Sequence, residues 1–278
     1  MLRMWSLSLI ICLSLVVGAA AFKKNYATRR SSLRSIPDCN CFSSCQTSGG
    51  TSQIKSEQTN EPAESLALFY AAGVGDYARV QSLIKSGFDV NWRDKDGMTP
   101  LFPAARNGRT TPAVIALLVS SGADVNARNK VGETPLLYAI DPGGDIENIK
   151  ALLDEGADPN IHNAEGVTPL MRASDWGSVH VLRILLQKGA FPDLKRKDGR
   201  TALMIAAADG EYESVVLLIA HKANPNLRDN SGNTALSLAI ANFRTRGRIN
   251  RYTRAPSLHT IEILRRLSHP TRRLRKVN

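Results

Sequence analysis

The chain has 278 residues, of which 43% are apolar, and a formal net charge of +11. That length is enough for one or two globular domains. Residues 22–242 hold 24 basic and 24 acidic residues, whereas residues 243–278 hold eleven basic residues against Glu262 alone. The main body is therefore neutral. Only Phe243 and Tyr252 supply aromatic rings at the basic end, which argues against sequence-specific recognition of nucleic acid.

Residues 1–21 have the composition of an export signal. Arg3 is the single charge before an apolar run that ends in Gly18-Ala19-Ala20-Ala21. A short basic start, an apolar stretch and an Ala-x-Ala end are the parts of a secretory signal peptide, and we expect cleavage after Ala21. We predict an exported protein, periplasmic or secreted. The alternative is a single-pass membrane anchor, because the uncharged run approaches the roughly 20 residues of a spanning helix and the basic flank favours the cytoplasm.

Residues 22–62 are rich in Ser, Thr, Gln, Asn and Gly, so we predict a disordered linker. The linker contains Cys39, Cys41 and Cys45, which are the only cysteines left once residues 1–21 are removed. In an exported chain they favour one disulfide and one odd thiol, with the pairing undetermined. The alternative is that they are incidental residues of a disordered segment. We expect no metal site, because neither a histidine nor a fourth cysteine lies nearby.

From residue 63 onward one pattern of about 33 residues repeats, most regularly in Arg200–Gly232. Thr201-Ala202 opens a short helix, Asp209-Gly210 turns the chain, and a second apolar helix and a loop rich in Asn and Asp follow. Two such short helices cannot bury their apolar faces alone, so the copies must stack on one another. The opening recurs at spacings of 35, 34, 33 and 33 residues, as Thr99-Pro100-Leu101, Thr134-Pro135-Leu136, Thr168-Pro169-Leu170, Thr201-Ala202-Leu203 and Thr234-Ala235-Leu236.

A loop signature recurs in step with these openings, as Gly87–Asn91, Gly122–Asn126, Gly156–Asn160, Gly189–Asp193 and Lys222–Asn226. The chain therefore resembles the ankyrin repeat, whose pattern is a Thr-Pro-Leu helix, a second apolar helix and a Gly-Ala-Asp-x-Asn turn. The resemblance covers residues 63–267. It implies an all-α ankyrin-repeat solenoid of about six helix-turn-helix repeats with protruding hairpin loops.

The two ends of the repeat array depart from the pattern. The first copy lacks the Thr-Pro-Leu opening, as a solvent-facing cap requires. In the last copy we predict a first helix over 234–242, an insertion over 243–256 and a second helix over 258–267. A basic C-terminal tail, residues 268–278, follows. In the fifth copy Lys222 replaces the glycine that ends the second helix, which predicts strain at that C-cap.

The resemblance implies a non-catalytic module that binds an unknown protein partner through its hairpin tips and the concave face of its first helices. Five cationic or imidazole side chains occupy equivalent positions at the tips and are candidate partner contacts: Arg93, Arg128, His162, Lys195 and Arg228. The alternative is that they are solvated side chains, compensated by neighbouring acids, at a position where the family often carries a cation.

Large side chains are the other candidate contacts. Trp92 lies at a tip, Tyr138 in the first helix of the third copy, and Arg172 and Trp176 in the first helix of the fourth. Aromatic residues and arginine are the usual anchors of protein interfaces. The alternative for each aromatic residue is packing on a neighbouring repeat.

Motifs of catalysis are absent from the sequence, which has no Gly-rich phosphate loop, no His-Glu-x-x-His and no Gly-x-Ser-x-Gly. We therefore predict no enzyme activity, no cofactor, no metal and no small-molecule substrate. Two alternatives remain to the exported adaptor. One is a membrane-anchored cytoplasmic ankyrin adaptor. The other is a protein whose basic C-terminus binds an anionic membrane surface or nucleic acid, of which nucleic acid is the less favoured.

Overall fold

The computed structural model describes residues 63–106, 112–141, 144–246 and 254–268. Every regular element in these ranges is an α-helix, and the helices form six consecutive pairs. The first helices of the pairs are α1 (Ala63–Val74), α3 (Leu101–Arg106), α5 (Pro135–Ala139), α7 (Pro169–Asp175), α9 (Ala202–Asp209) and α11 (Ala235–Arg246). The second helices are α2 (Tyr77–Lys85), α4 (Pro112–Ser120), α6 (Ile146–Asp154), α8 (Val179–Gln187), α10 (Tyr212–Ala220) and α12 (Arg254–Ser268).

The pairs stack in chain order. The first helices contact one another in a row from α1 to α11, and the second helices form a second row from α2 to α12. Buried apolar side chains from Leu68 to Leu264 make one continuous core along both rows. This is the nearest-neighbour architecture of a solenoid, and it confirms the predicted fold. The predicted export signal, the linker and its three cysteines lie outside the described residues, as do residues 269–278.

The threonines of the opening motif begin the first helices. Thr134, Thr168 and Thr201 each accept a hydrogen bond from the backbone N–H three residues later, at 3.2–3.4 Å. A threonine in this position satisfies one of the unpaired N–H groups of the first turn, and the proline that follows Thr134 and Thr168 has the fixed φ of a helix start. Thr99 differs, because its Oγ1 is buried and has no hydrogen-bond partner in the described part of the chain.

The hairpin tips are tied to one another by backbone hydrogen bonds. Within a tip, Asn163 Oδ1 accepts from the N–H groups of Glu165 and Val167, both at 3.0 Å. Between tips, a backbone N–H of each loop donates to a backbone oxygen of the loop before it, at 2.9–3.1 Å, as in Lys130 to Asp96, Ala164 to Val131, Lys197 to Glu165 and Asn230 to Asp198. The tips therefore form a hydrogen-bonded ladder along the stack.

The asparagine that ends the loop signature also links consecutive repeats. Asn91 Nδ2 donates to Gly122 O at 2.8 Å, and its Oδ1 accepts from Asp124 N at 2.8 Å. Asp193 replaces this asparagine at the end of the fourth loop signature, and the next signature begins at Lys222. The Oδ1 of Asp193 accepts a hydrogen bond from Asn224 N at 2.9 Å. A carboxylate has no N–H to donate to the next repeat, so this link has lost one of its two hydrogen bonds.

Lys222 has a φ of +67° and is the one non-glycine residue with positive φ in the described ranges. The glycines at equivalent positions, Gly87, Gly122, Gly156 and Gly189, have φ values between +86° and +94°. The left-handed conformation is unfavourable for a residue with a Cβ. The predicted strain at this C-cap is therefore confirmed.

The last pair corrects the predicted insertion of residues 243–256. Helix α11 continues to Arg246, and α12 begins at Arg254, so both ends of that segment are helical. The reason is local: no glycine or proline interrupts the chain before Gly247, and Phe243 packs against the core. Pro256 falls in the first turn of α12, where its missing N–H leaves no helical hydrogen bond unmade.

Candidate protein-interaction surface

The tip cations predicted as partner contacts are exposed, but most of them hydrogen-bond within the chain. Arg93 Nη1 donates to Gly97 O at 3.0 Å and to Arg128 O at 2.7 Å. Arg128 Nη2 donates to His162 O at 2.9 Å and Lys195 Nζ donates to Arg228 O at 2.8 Å, each in the next tip. Arg228 Nη1 donates to Gly232 O within its own tip at 2.7 Å. The predicted column therefore exists, and its guanidinium and ammonium groups connect successive tips through backbone oxygens.

Trp92 is half-buried and packs on α1, in the first repeat. Its ring lies 6.2 Å from that of Phe69 in an edge-to-face arrangement, and Phe69 makes a similar contact with Tyr70 at 6.3 Å. Tyr70 is 64% exposed, so it is the part of this aromatic group that is open to solvent. Trp92 therefore packs against Phe69 of the first repeat.

Side chains from three consecutive repeats meet on the surface of the first helices. They are Arg106, Glu133, Tyr138, Asp141 and Arg172, here called the arginine–tyrosine cluster. Arg172 Nη2 lies 2.6 Å from Glu133 Oε1, and Arg172 Nη1 lies 3.0 Å from Asp141 Oδ1. Arg106 Nη1 donates to the Tyr138 hydroxyl at 3.1 Å. One guanidinium thus bridges two carboxylates while the other contacts the tyrosine.

Tyr138 is fixed from two sides. Its ring makes an edge-to-face contact with the buried Phe102 at 5.7 Å. The Arg106 guanidinium carbon lies 5.0 Å from the centre of the same ring, within the range of a cation–π interaction. Arg106 Nη2 is also 3.8 Å from Asp141 Oδ2. These contacts hold an arginine and a tyrosine in a defined mutual position.

The cluster has a buried part and an exposed part. The side chains of Arg172, Glu133 and Asp141 are largely buried, whereas that of Arg106 is 47% exposed. Burial raises the pKa of the Asp141 carboxyl above its ordinary value, although the nearby charges of Arg172 and Arg106 oppose this shift. Arg172, Glu133 and Asp141 therefore serve mainly to position the cluster, and Arg106 and Tyr138 form its accessible edge.

Trp176 lies one turn beyond Arg172, where it is the C-cap of α7. It is half-buried, and its Nε1 is shielded from solvent without a hydrogen-bond acceptor among the described residues. The indole Nε1 is therefore enclosed by the protein at the end of α7.

Three members of the cluster, Arg106, Glu133 and Asp141, were not among the candidates from the sequence. A signal was present for two of them. Arg106 and Asp141 each lie seven residues after an opening threonine, so they occupy the same position in consecutive repeats and carry opposite charges. Stacking repeats places equivalent positions side by side, so a charge comparison by repeat position would have found this pair.

A second group of charges joins the loops of the fifth repeat. Arg196 donates to both oxygens of Asp198 at 2.6–2.7 Å, and this hydrogen bond holds the pKa of Asp198 below its ordinary value. Arg200 Nε lies 3.7 Å from the buried carboxylate of Asp229. The Arg196–Asp198 pair lies within one tip, whereas the Arg200–Asp229 pair connects neighbouring tips and adds to the ladder described above.

No group of three or more His, Cys, Asp or Glu side chains is arranged to hold a metal ion within residues 63–106, 112–141, 144–246 and 254–268. None of the helices α1 to α12 is long and apolar enough to cross a membrane.

Comparison with known proteins agrees with the architecture. The family model "Ankyrin repeats (3 copies)" matches four overlapping stretches, residues 52–129, 68–163, 111–196 and 170–250. The crystal structure of an ankyrin repeat domain from Acinetobacter baumannii AYE, at 1.00 Å resolution, is 31% identical with a TM-score of 0.58, and the match covers 69% of this chain and 96% of that chain. No curated protein matches the chain.

Ankyrin repeats are generally protein–protein interaction modules. With its six stacked helix pairs and repeated Thr-Pro-Leu openings, the chain belongs to the ankyrin-repeat family.

Proposed function

We propose that this protein is a non-catalytic adaptor that binds a protein partner on the face of its first helices, with Arg106 and Tyr138 at the contact. The observation that carries the proposal is the accessible edge of the arginine–tyrosine cluster. Arginine and tyrosine contribute strongly to interfaces when they are held in place, because less side-chain freedom is then lost on binding. Here Phe102 and Asp141 supply the support.

The tips are a secondary contact in this proposal. Their cations already donate to backbone oxygens of neighbouring loops, as Arg93 does to Arg128 O. A partner that took these donors would have to replace existing hydrogen bonds, so the net gain would be small. The remaining donors of exposed Arg128 and Lys195 are available for a polar rim around the contact.

The test compares Arg106→Ala with Lys150→Ala. The two side chains are similarly exposed, 47% and 46%, and both are ion-paired, but Lys150 lies on the second-helix row. The partner is first recovered with the intact protein from its own compartment, and its affinity for each variant is then measured by calorimetry. We expect Arg106→Ala to weaken binding by about tenfold or more, while Lys150→Ala binds like the wild type.

Two results would contradict this proposal. Equal binding by both variants would place the contact elsewhere on the molecule. Equal loss in both variants would indicate unspecific charge attraction, which predicts the same loss on either face. Circular dichroism of the two variants checks that each keeps the helix content of the parent.

We also propose that the adaptor is exported. The support is the sequence of residues 1–21, with its single Arg3, its apolar run and its Ala-rich end. The N-terminal residue and the mass of the native protein test this proposal, because cleavage predicts a start at Phe22. A native protein that begins at Met1 would instead favour the membrane-anchored cytoplasmic adaptor.

If the chain is exported, Cys39, Cys41 and Cys45 should form one disulfide and leave one thiol. Alkylation of the native protein before and after reduction, followed by mass spectrometry, counts the free thiols. Three free thiols in freshly purified protein would contradict the disulfide. A disulfide between the linker cysteines of two chains would appear as a dimer that a reducing agent converts to monomer.

A further inference from the structure

Helix α12 exposes one face that none of the other described helices, α1 to α11, covers. Leu258, Glu262 and Arg265 follow one another at helical spacing on this face, and Leu258 is 46% exposed. Arg266 lies beside them with 76% of its side chain exposed. The opposite side is buried through Thr260, Ile261 and Leu264, which pack against α10 and α11.

The charge of this face is positive. Arg266 forms an ion pair with Glu262 one turn earlier, so the acidic side chain is already neutralised and Arg265 is left in excess. The same end of the chain, residues 243–278, has a net charge of +10, whereas residues 22–242 sum to zero. Within the repeats themselves, residues 63–242 hold 18 basic and 21 acidic residues, so the excess positive charge is at the C-terminal end of the chain. Such an end is attracted toward an anionic surface.

The side chains on α12 favour a lipid surface over nucleic acid. An exposed leucine beside arginines suits the boundary between headgroups and acyl chains. There the apolar side chain can contact the acyl chains, and the cations are attracted to the anionic headgroups. Proteins that bind single-stranded nucleic acid use aromatic rings as stacking platforms. The one ring system on the described exposed face is His259, and it packs edge-to-face on Tyr212 at 5.7 Å.

We propose that the exposed face of α12 is a docking surface for an anionic phospholipid bilayer. Because Ile261 and Leu264 are held in the core, α12 cannot turn its apolar side into the membrane, and the contact is peripheral and electrostatic. Binding should therefore require anionic lipid and weaken as salt rises, since exposed charges are screened within about 10 Å at ~0.1 M salt. This site is independent of the partner contact at Arg106, so either can fail without the other.

The experiment uses the full chain in co-sedimentation with vesicles of phosphatidylcholine alone or with about one third phosphatidylglycerol, an anionic lipid. The variant is Arg265→Glu with Arg266→Glu. The matched control is Arg79→Glu with Arg183→Glu, which makes the same charge change at exposed positions on α2 and α8. Neutral vesicles report any insertion by the apolar N-terminal residues, which does not depend on lipid charge.

We expect the wild type and the control to prefer anionic vesicles. The α12 variant should bind them about 25-fold less tightly or worse, since each basic residue near such a surface contributes about fivefold. Hydrogen exchange should slow in α12 when anionic vesicles are added, a local effect that N-terminal insertion would not produce. Equal loss in variant and control, or no change at α12, would overturn the proposal. So would binding to duplex DNA through Arg265 and Arg266 without binding to vesicles.

Discussion

Lys222 occupies a backbone conformation that the other repeats give to glycine. At the equivalent Gly189 an added Cβ would meet no atom within 4 Å, so the cost of Lys222 lies in its backbone and not in a clash. The same junction has lost a hydrogen bond because Asp193 replaces asparagine. Two small defects thus coincide between the fourth and fifth loops.

Replacement of Lys222 by glycine should therefore stabilise the protein. We expect Lys222→Gly to raise the free energy of unfolding by about 1 kcal/mol, because relief of the left-handed strain exceeds the extra entropy of glycine in the unfolded chain. Urea unfolding measures the change. Lys222→Ala serves as the control for loss of the charge alone, and equal effects of the two substitutions would show that the backbone is not strained.

Arg172 was predicted as a partner contact, and the structure shows that its guanidinium is occupied by Glu133 and Asp141. Arg172→Met should cost about 2 kcal/mol of stability at neutral pH, because two largely buried carboxylates then lose their shared cation. Urea unfolding at pH 7 checks this value, and Lys188→Met, which breaks the exposed ion pair with Asp154, is the control with little expected effect.

The loss of stability caused by Arg172→Met should depend on pH. The folded-state pKa of Asp141 is already above its ordinary value of 3.8, and loss of Arg172 should raise it further. A carboxyl whose pKa is higher in the folded state than in the unfolded state stabilises the fold at pH values below the unfolded-state pKa. This contribution to stability is lost as the pH rises through the folded-state pKa. The deficit of Arg172→Met should therefore shrink as pH falls toward 4. If the stability difference between Arg172→Met and the wild type were the same at pH 7 and pH 4, Arg172 would not affect the pKa of Asp141.

At the scale of single helices, the opening motifs predicted where the first helices of the second to sixth repeats begin. The Thr-Pro-Leu openings at Thr134 and Thr168 form N-caps, because a threonine oxygen and a proline φ act within one turn. The predicted insertion in the last repeat was wrong at its edges, since both flanking helices extend into it. Helix ends without such capping residues depend on packing against neighbours, as Phe243 illustrates, and a local pattern does not contain that information.

Two buried threonines in equivalent positions allow a matched test of these caps. Thr168 Oγ1 accepts a hydrogen bond from Met171 N, whereas Thr99 Oγ1 has no partner within the described residues. We expect Thr168→Val to lower stability by about 1 kcal/mol, because it removes a capping hydrogen bond. Thr99→Val should be neutral or slightly stabilising, because it removes a buried polar atom. Thermal unfolding of both variants gives the comparison, and similar losses would contradict the difference in bonding.

At the scale of the whole molecule, stability is a sum over repeats and the contacts between neighbours. Among the described first helices, α5 of the third repeat is the shortest, with five residues, whereas α9 has eight. We expect amide hydrogens of α5 to exchange with solvent about tenfold faster than those of α9, which corresponds to about 1.4 kcal/mol of local stability. Native-state hydrogen exchange resolves the two helices. Equal rates would indicate that the described repeats open as one unit.

The sequence by itself determined the repeat number, the order of helices and the ankyrin-type stacking, because those depend on motifs that act within about 33 residues. It also placed the tip cations and the strain at Lys222 correctly along the chain. Only the tertiary structure decided what these side chains do. Arg106 meets Tyr138, and Arg172 meets Glu133, through the register between repeats and the rotamers that packing allows. Contacts between residues so distant in sequence follow from stacking, and no local pattern encodes them.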